Sequence, residues 1–242
     1  MGPFITHNYL GDPFHLFGTI HLLTIGLIIL LSILLYLFRK RFTEKNKLIF
    51  RYGASIIIIL NEIFWHIWNI GGGTWNIQKL LPLWVCSVLI WLTPFLLIGK
   101  NRFLYDFFYF MGIIGALQAI ATPDIGIYGF PHSRYFQFFI GHGGLLLAVF
   151  YMTWVEGFRP TWQSVWKVLI GMNLYWGFTA IVNALIGSNY LYTGGKLETA
   201  SMLDILGPYP WYLLSIEALG IVFIIALYLP YAIRDRKVAG LH

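Results

Sequence analysis

Charge is scarce in this chain. Lys, Arg, Asp and Glu make up 11% of its 242 residues, while hydrophobic types make up 58%. A soluble domain carries about 25% charged residues, so an integral membrane protein is indicated. Cysteine is scarcer still. The one cysteine, Cys86, rules out an intrachain disulfide and any CxxC metal site. Met1 to Phe17 contain no Lys or Arg, so the first apolar run is expected to be a span rather than a signal peptide. The alternating pattern of a membrane β-barrel is also missing. The net charge of +6 does not call for nucleic acid, because the basic residues fall in short stretches between apolar runs.

What is present is a series of apolar segments near the roughly 20 residues a helix needs to cross a bilayer. They lie at about 17–38, 48–70, 80–98, 103–122, 135–155, 165–187 and 211–233. The expected architecture is therefore an all-α bundle of seven transmembrane helices, a single transmembrane domain over 1–242. Charge sets its orientation. Arg39, Lys40, Arg41, Lys45, Lys47, Arg51, Lys100, Arg102, Arg159, Lys167, Arg234, Arg236 and Lys237 fall on one side, and only Lys79, Arg134 and Lys196 on the other. Basic residues mark the cytoplasmic side, so the N-terminus is expected outside and the C-terminus in the cytoplasm. The opening Met1-Gly-Pro-Phe-Ile-Thr6 matches an N-myristoylation pattern in its letters, which an outward-facing N-terminus sets aside. The outer connections carry the glycines, prolines and aromatic residues of an interfacial belt, the longest running from Ser188 to Pro210.

Polar residues within the spans cluster toward one leaflet. His21, Glu62, His66, Asn69, Cys86, Ser87, Gln118, Gln137, His142, Asn183, Ser215 and Glu217 all fall within roughly 15 Å of the outer surface at about 1.5 Å per residue. The inner halves are nearly bare apart from Asp106 and Asn173. Polar groups that only hold helices together should be spread over both leaflets, so a polar cavity on the outer side is expected. The stretch Phe130-Pro-His-Ser-Arg-Tyr-Phe-Gln-Phe-Phe-Ile-Gly-His-Gly-Gly144 is its centre. It brings Arg134 and Gln137 to the mouth and carries His142 deeper, and an ionisable group at that depth marks a functional site by default.

Glu62 and His66 stand at i and i+4, on one helical face. The pair reads either as a carboxylate orienting an imidazole for acid–base work or as an internal bond that fixes its helix. Cys86 and His142 are expected at similar depths, which permits a thiolate–imidazole nucleophile. Equally, a buried cysteine is most often a small apolar residue. No metal or other cofactor is expected, since neither HExxH nor a histidine pair at fixed spacing is present.

Gly112-Ile-Ile-Gly-Ala-Leu-Gln-Ala-Ile-Ala-Thr-Pro-Asp124, the 130–142 stretch, Phe158-Arg-Pro-Thr161 and Leu203-Asp-Ile-Leu-Gly-Pro-Tyr-Pro-Trp-Tyr212 together resemble the YwaF-like integral membrane proteins of bacteria. That family is distantly similar to a eukaryotic transmembrane acyltransferase acting on ether phospholipids, which implies a Cys and a His in the spans. The histidine carries over to His142. The cysteine position does not: Leu83 and Trp84 stand where that enzyme's Cys and following His would be, and Cys86 lies one turn further. A looser similarity to the androgen-induced lipid hydrolases, which pair Thr with His, brings in Ser87.

The expected function is thus a multi-pass cell-membrane protein whose outer-leaflet pocket serves lipid acyl transfer or lipid hydrolysis. His142 would be the base, Cys86 or Ser87 the nucleophile, and Glu62 with His66 an orienting pair. His21, Gln118, Gln137, Asn183, Glu217 and Arg134 would line the pocket. Membrane lipids and a lipidic or acyl substrate are the expected partners, with no nucleic acid. The alternatives are a protein that binds or transports a small or lipidic ligand, and a structural membrane subunit. Oligomeric state is not readable from the chain.

Overall fold

The computed structural model describes residues 4–196 and 205–239. Met1–Pro3 of the acylation pattern, residues 197–204 of the long outer connection and the side chain of Lys237 lie outside the described residues. Regular structure among the described residues is helical throughout. That follows from the apolar composition, because a segment in hydrocarbon must satisfy every backbone N–H and C=O within itself.

The helices are α1 (Thr19–Phe38), α2 (Glu44–Gly71), α3 (Val85–Leu97), α4 (Arg102–Ala121, with a π-helical turn at Phe108–Gly112), α5 (Ser133–Trp154), α6 (Trp162–Ile186) and α7 (Trp211–Ala239). Their starts are set by local chemistry. Thr43, Asn101 and His132 each accept a first-turn N–H with the side chain, at 3.2, 3.1 and 3.1 Å. Thr161 and Ser164 form a reciprocal capping box at the start of α6. That helix ends on Gly187, whose φ of +67° suits a residue without Cβ.

Six of these helices are long and apolar enough to cross a membrane. The third expected span, 80–98, departs from the expectation. Its helix α3 has 13 residues, about 20 Å at 1.5 Å per residue and short of the roughly 30 Å hydrocarbon core. The residues before it are drawn into turns. The Tyr190 hydroxyl accepts Leu81 N–H at 2.8 Å, and Tyr175 donates to Leu83 C=O at 2.7 Å. Pro82, within that turn, helps to keep helix from propagating backward. Among the described residues there are therefore six long helices and one short one. As a result Cys86 occupies the first turn of α3 rather than a point well inside a span.

The chain divides into two compact units. The first comprises residues 1–75 and 85–158, with α1 to α5. Its centre is α5, which packs against α1, α2, α3 and α4 and is the most buried of the spans. Glycines allow this. A Cβ at Gly144 would meet Ile58 of α2 at 3.0 Å, and one at Gly143 would meet Ile28 of α1 at 3.3 Å. The second unit comprises residues 76–84 and 159–242, with α6 and α7. Leu174, Leu185 and Phe178 of α6 and Leu214 and Val222 of α7 are exposed, as expected of helices whose solvent is lipid.

Candidate functional site

Three helices of the first unit meet around Gly141. A Cβ there would lie 3.4 Å from both Asn61 Nδ2 of α2 and Ile90 Cδ1 of α3. The chain neighbours of these residues are Glu62, Trp91 and His142, so the polar groups of three helices share one level. Asn61 Nδ2–H also donates to the Gln137 carbonyl at 2.9 Å, which ties α2 to α5 just above.

His142 is held in one tautomer. Its Nδ1 lies 2.9 Å from the Phe138 carbonyl, and a carbonyl can only accept, so Nδ1 carries the proton. Nε2 is left with a lone pair and, among the described residues, no hydrogen-bond partner. The ring packs on Phe138 with centroids 4.3 Å apart. This is the arrangement of a general base whose second nitrogen is fixed.

His66 is held the other way. Trp75 Nε1–H donates to its Nδ1 at 3.0 Å, so the ring proton sits on Nε2, which points to Glu62 Oε1 at 3.8 Å. Glu62 is 3% exposed and accepts no hydrogen bond from the described residues. The charge of Arg134 acts on both Glu62 and His142. Arg134 lies across the Trp65 ring at 4.0 Å and donates to Gln137 Oε1 and to the Asp124 carbonyl. Gln137 is buried by the same contacts. Trp91 faces His66 with ring centroids 6.1 Å apart, and its sealed indole N–H has no acceptor among the described residues.

Cys86 lies against α4, where a Cβ at Gly115 would come within 2.9 Å of its sulfur. Glu62 is the charged group that acts on it. Its place in the first turn of α3 puts it at the end of a helix that favours negative charge. Among the described residues no hydrogen bond joins Cys86 to His142. Ser87, half-buried beside it, makes no side-chain hydrogen bond.

The other expected pocket residues have separate fates. His21 is fully engaged: Nε2–H donates to the Ile120 carbonyl at 2.9 Å and Nδ1 accepts Phe17 N–H at 3.0 Å, so it fastens α1 to α4. Gln118 is exposed on α4. Asn183 and Glu217 belong to the second unit. Asn183 donates to the Tyr190 carbonyl and Thr193 Oγ1 and accepts from Ser188 and Tyr190 N–H, all within 2.6–2.9 Å. Its four positions are filled, and it holds the loop after α6. Glu217 stands in a groove of about 450 Å³ lined by Trp166, Leu169, Ile170, Asn173, Leu174 and Ile221.

One feature escaped the sequence reading. The segment before α1 lies as a strap across the end of the first unit where α5 begins. Ser133 N–H binds the Phe4 carbonyl at 2.8 Å, Trp68 Nε1–H that of Ile5 at 2.8 Å, His132 Nε2–H that of Thr6 at 3.0 Å, and Tyr128 O–H that of His7 at 3.0 Å. His7 stacks on Trp68 at 3.8 Å and donates to its carbonyl. The aromatic and histidine content of 4–18 was the available signal.

Among the described residues no three His, Cys, Asp or Glu side chains gather as a metal site. No curated protein and no solved structure matches the chain. Residues 16–228 match the TMEM164 family, a stretch covering most of the sequence, and the chain belongs to that family.

Proposed function

We propose, from the chemistry of the first unit, that this protein is a cell-membrane enzyme of lipid acyl transfer. The carrying observation is His142. Its Nδ1–H is anchored on the Phe138 carbonyl and its Nε2 lone pair is free within a membrane interior. An imidazole held that way has one task left, to take a proton. The resemblance of the 112–124, 130–142 and 203–212 stretches to the YwaF-like proteins and to the ether-phospholipid acyltransferase supports the same reading.

In this mechanism His142 Nε2 accepts the thiol proton of Cys86. The thiolate attacks a lipid ester carbonyl, and the C–O bond breaks as the lysolipid oxygen takes the proton back from His142. The acyl group rests on Cys86 as a thioester. A second hydroxyl then gives its proton to His142 and attacks the thioester, releasing the Cys86 thiolate, which recovers the proton. With water as the second hydroxyl the outcome is hydrolysis. Glu62 stabilises the cationic state of the site through His66, whose Nε2–H faces it.

The charge split of the loops supports an outward N-terminus and a pocket open to the outer leaflet. A cysteine placed at position 195 is expected to react with an impermeant maleimide on intact cells, and one at position 45 is not. The reverse pattern overturns the orientation.

The enzymatic test uses proteoliposomes with a phospholipid carrying an isotope-labelled acyl chain. The wild type moves label to a lysophospholipid and carries a hydroxylamine-sensitive acyl group. His142→Ala lowers the rate at least about a hundredfold, the usual range for loss of a general base, and Cys86→Ala abolishes the thioester. The missing hydrogen bond between Cys86 and His142 favours a second reading, a lipid-binding protein without chemistry. Label retained by the protein but never transferred would establish that reading instead.

A further inference from the structure

Arg134, in the first turn of α5, carries a charge that no ion pair offsets. Arg51 faces Glu156 and Arg159 faces Asp235, whereas among the described residues no carboxylate comes within ion-pair reach of Arg134. Asp124 and Glu62 act on it only at longer range. Its bonded acceptors are neutral, Gln137 Oε1 and the Asp124 carbonyl. A guanidinium carries more N–H donors than these two bonds use. The Nε–H is one of those left over among the described residues, and it is not sealed as the Nε of Arg51 is. The residue is half-buried, so a ligand atom can reach it. The guanidinium is also seated in advance. It lies across the Trp65 ring at 4.0 Å, with Phe138 at 5.3 Å. Trp65 is stacked in turn on Trp68 at 5.5 Å, and Trp68 on His7 at 3.8 Å. A planar cation held on an aromatic face with donors to spare is suited to an oxyanion group. Arg134 stands eight residues before His142 in α5, about 12 Å along the axis and within about a quarter turn of the same face.

We propose that Arg134 is a phosphate subsite, binding the phosphodiester of the lipid whose ester reacts at His142. The inference rests on the acyl-transfer reading above and deepens it. A phospholipid presents its groups in the order that α5 does, the anion first and the ester deeper. A fatty acid whose carboxylate took the same seat would bring only methylenes to the level of His142. A neutral acylglycerol has no anionic oxygen for the guanidinium. Arg134 therefore selects phosphate-bearing lipids over neutral lipids with the same chains.

The test is Arg134→Gln, which removes the charge and keeps a polar side chain. The probes are a diacyl phospholipid with isotope-labelled chains and the diacylglycerol with the same chains. Each is titrated against the full chain in maltoside micelles, with acyl transfer measured in parallel. The wild type is expected to hold the phospholipid about tenfold to a hundredfold more tightly than the diacylglycerol, the worth of hydrogen bonds to a charged group. Arg134→Gln should lose that preference, leave diacylglycerol binding unchanged, and raise KM for the phospholipid more than it lowers kcat. Arg134→Lys, a point charge without the planar fork, should keep only part of the preference, and it carries the test if the glutamine variant does not fold. A wild type without the preference, or a folded variant that retains it in full, overturns the proposal. Inorganic phosphate at the concentration of the lipid should leave the lipid in place. Displacement would make the free ion the occupant and overturn the lipid assignment. A preference that Arg134→Gln removes, in a protein that never transfers label, leaves the phosphate subsite standing and overturns the acyl-transfer reading alone.

Discussion

Two carboxylates of the first unit are almost equally buried, and they are treated in opposite ways. Glu156, just after α5, has a side chain 6% exposed, and both of its oxygens are bonded: Lys100 Nζ at 2.6 Å, Tyr151 O–H at 2.7 Å, with Arg51 Nε at 4.0 Å. Glu62, in α2, has a side chain 4% exposed, and its one ion-pair partner among the described residues is His66 Nε2 at 3.8 Å. Burial alone does not say what a charge is for. A carboxylate with full coordination is a structural tie, since removing it leaves Lys100 and Arg51 facing each other. A carboxylate with none is held by the rest of the fold against its own preference, which is the mark of a site.

The comparison breaks most readily at Glu156. Glu156→Ala is expected to cost about 3 kcal/mol, the low end for breaking a buried pair because Lys100 is more than one-third exposed. The check is a lowered unfolding midpoint in mild detergent, with residual activity per folded molecule unchanged. Glu62→Gln should do the reverse. Stability should move by less than about 1 kcal/mol, because no bond is lost. Acyl transfer should fall about a hundredfold, as expected for an acid–base partner.

Acid sharpens the contrast further. Burial pushes the Glu156 carboxyl up, but the hydrogen bonds from Lys100 and Tyr151 and the charges of Lys100 and Arg51 outweigh it, so its pKa ends below the ordinary value. A depressed carboxylate contributes stability that is full above the unfolded value of about 4.3 and is lost as pH falls through the folded one. Unfolding midpoints of the wild type should therefore drop below about pH 4.3, and Glu156→Gln should flatten that limb.

His132 predicts a smaller, separate effect. Burial lowers its pKa, and both ring nitrogens are in use as a neutral ring, one donating to Thr6 and one accepting Arg134 N–H. Its contribution is full above the unfolded value of about 6.5 and fades as pH falls below it. Protection of residues 4–9 against hydrogen exchange, relative to the intrinsic rate at each pH, should fall from pH 7 to pH 5, and a His132→Asn variant should lessen that response.

Much of the fold was legible because a bilayer leaves few choices. Apolar runs of the right length became α1, α2 and α4 to α7 within a few residues of their expected bounds. Span three misled because composition cannot see that two tyrosines from distant segments turn residues 81–83 away from a helix. At the candidate site, depth along the helices singled out Glu62, His66 and His142. Depth says nothing of azimuth or of partners, so it also gathered His21, which is fully bonded, and Gln118, which is exposed. Trp91 went unnoticed since a tryptophan in an apolar run looks like any other. Only its unbonded N–H sets it apart.

The strap across the first unit bears on how the protein is to be handled. Hydropathy would place the start of the folded body at α1, near Thr19. A version trimmed there would leave four donors without acceptors: Trp68 Nε1–H, Tyr128 O–H, His132 Nε2–H and Ser133 N–H. Uncovered, each would exchange its bond for one to water at a net loss of about 0.5–1.5 kcal/mol, together a sizeable part of the 5–15 kcal/mol by which whole domains are stable. Affinity tags therefore belong after residue 239, or before Phe4 on a spacer. A leader peptide exchanged for expression must return residues 4–7 intact.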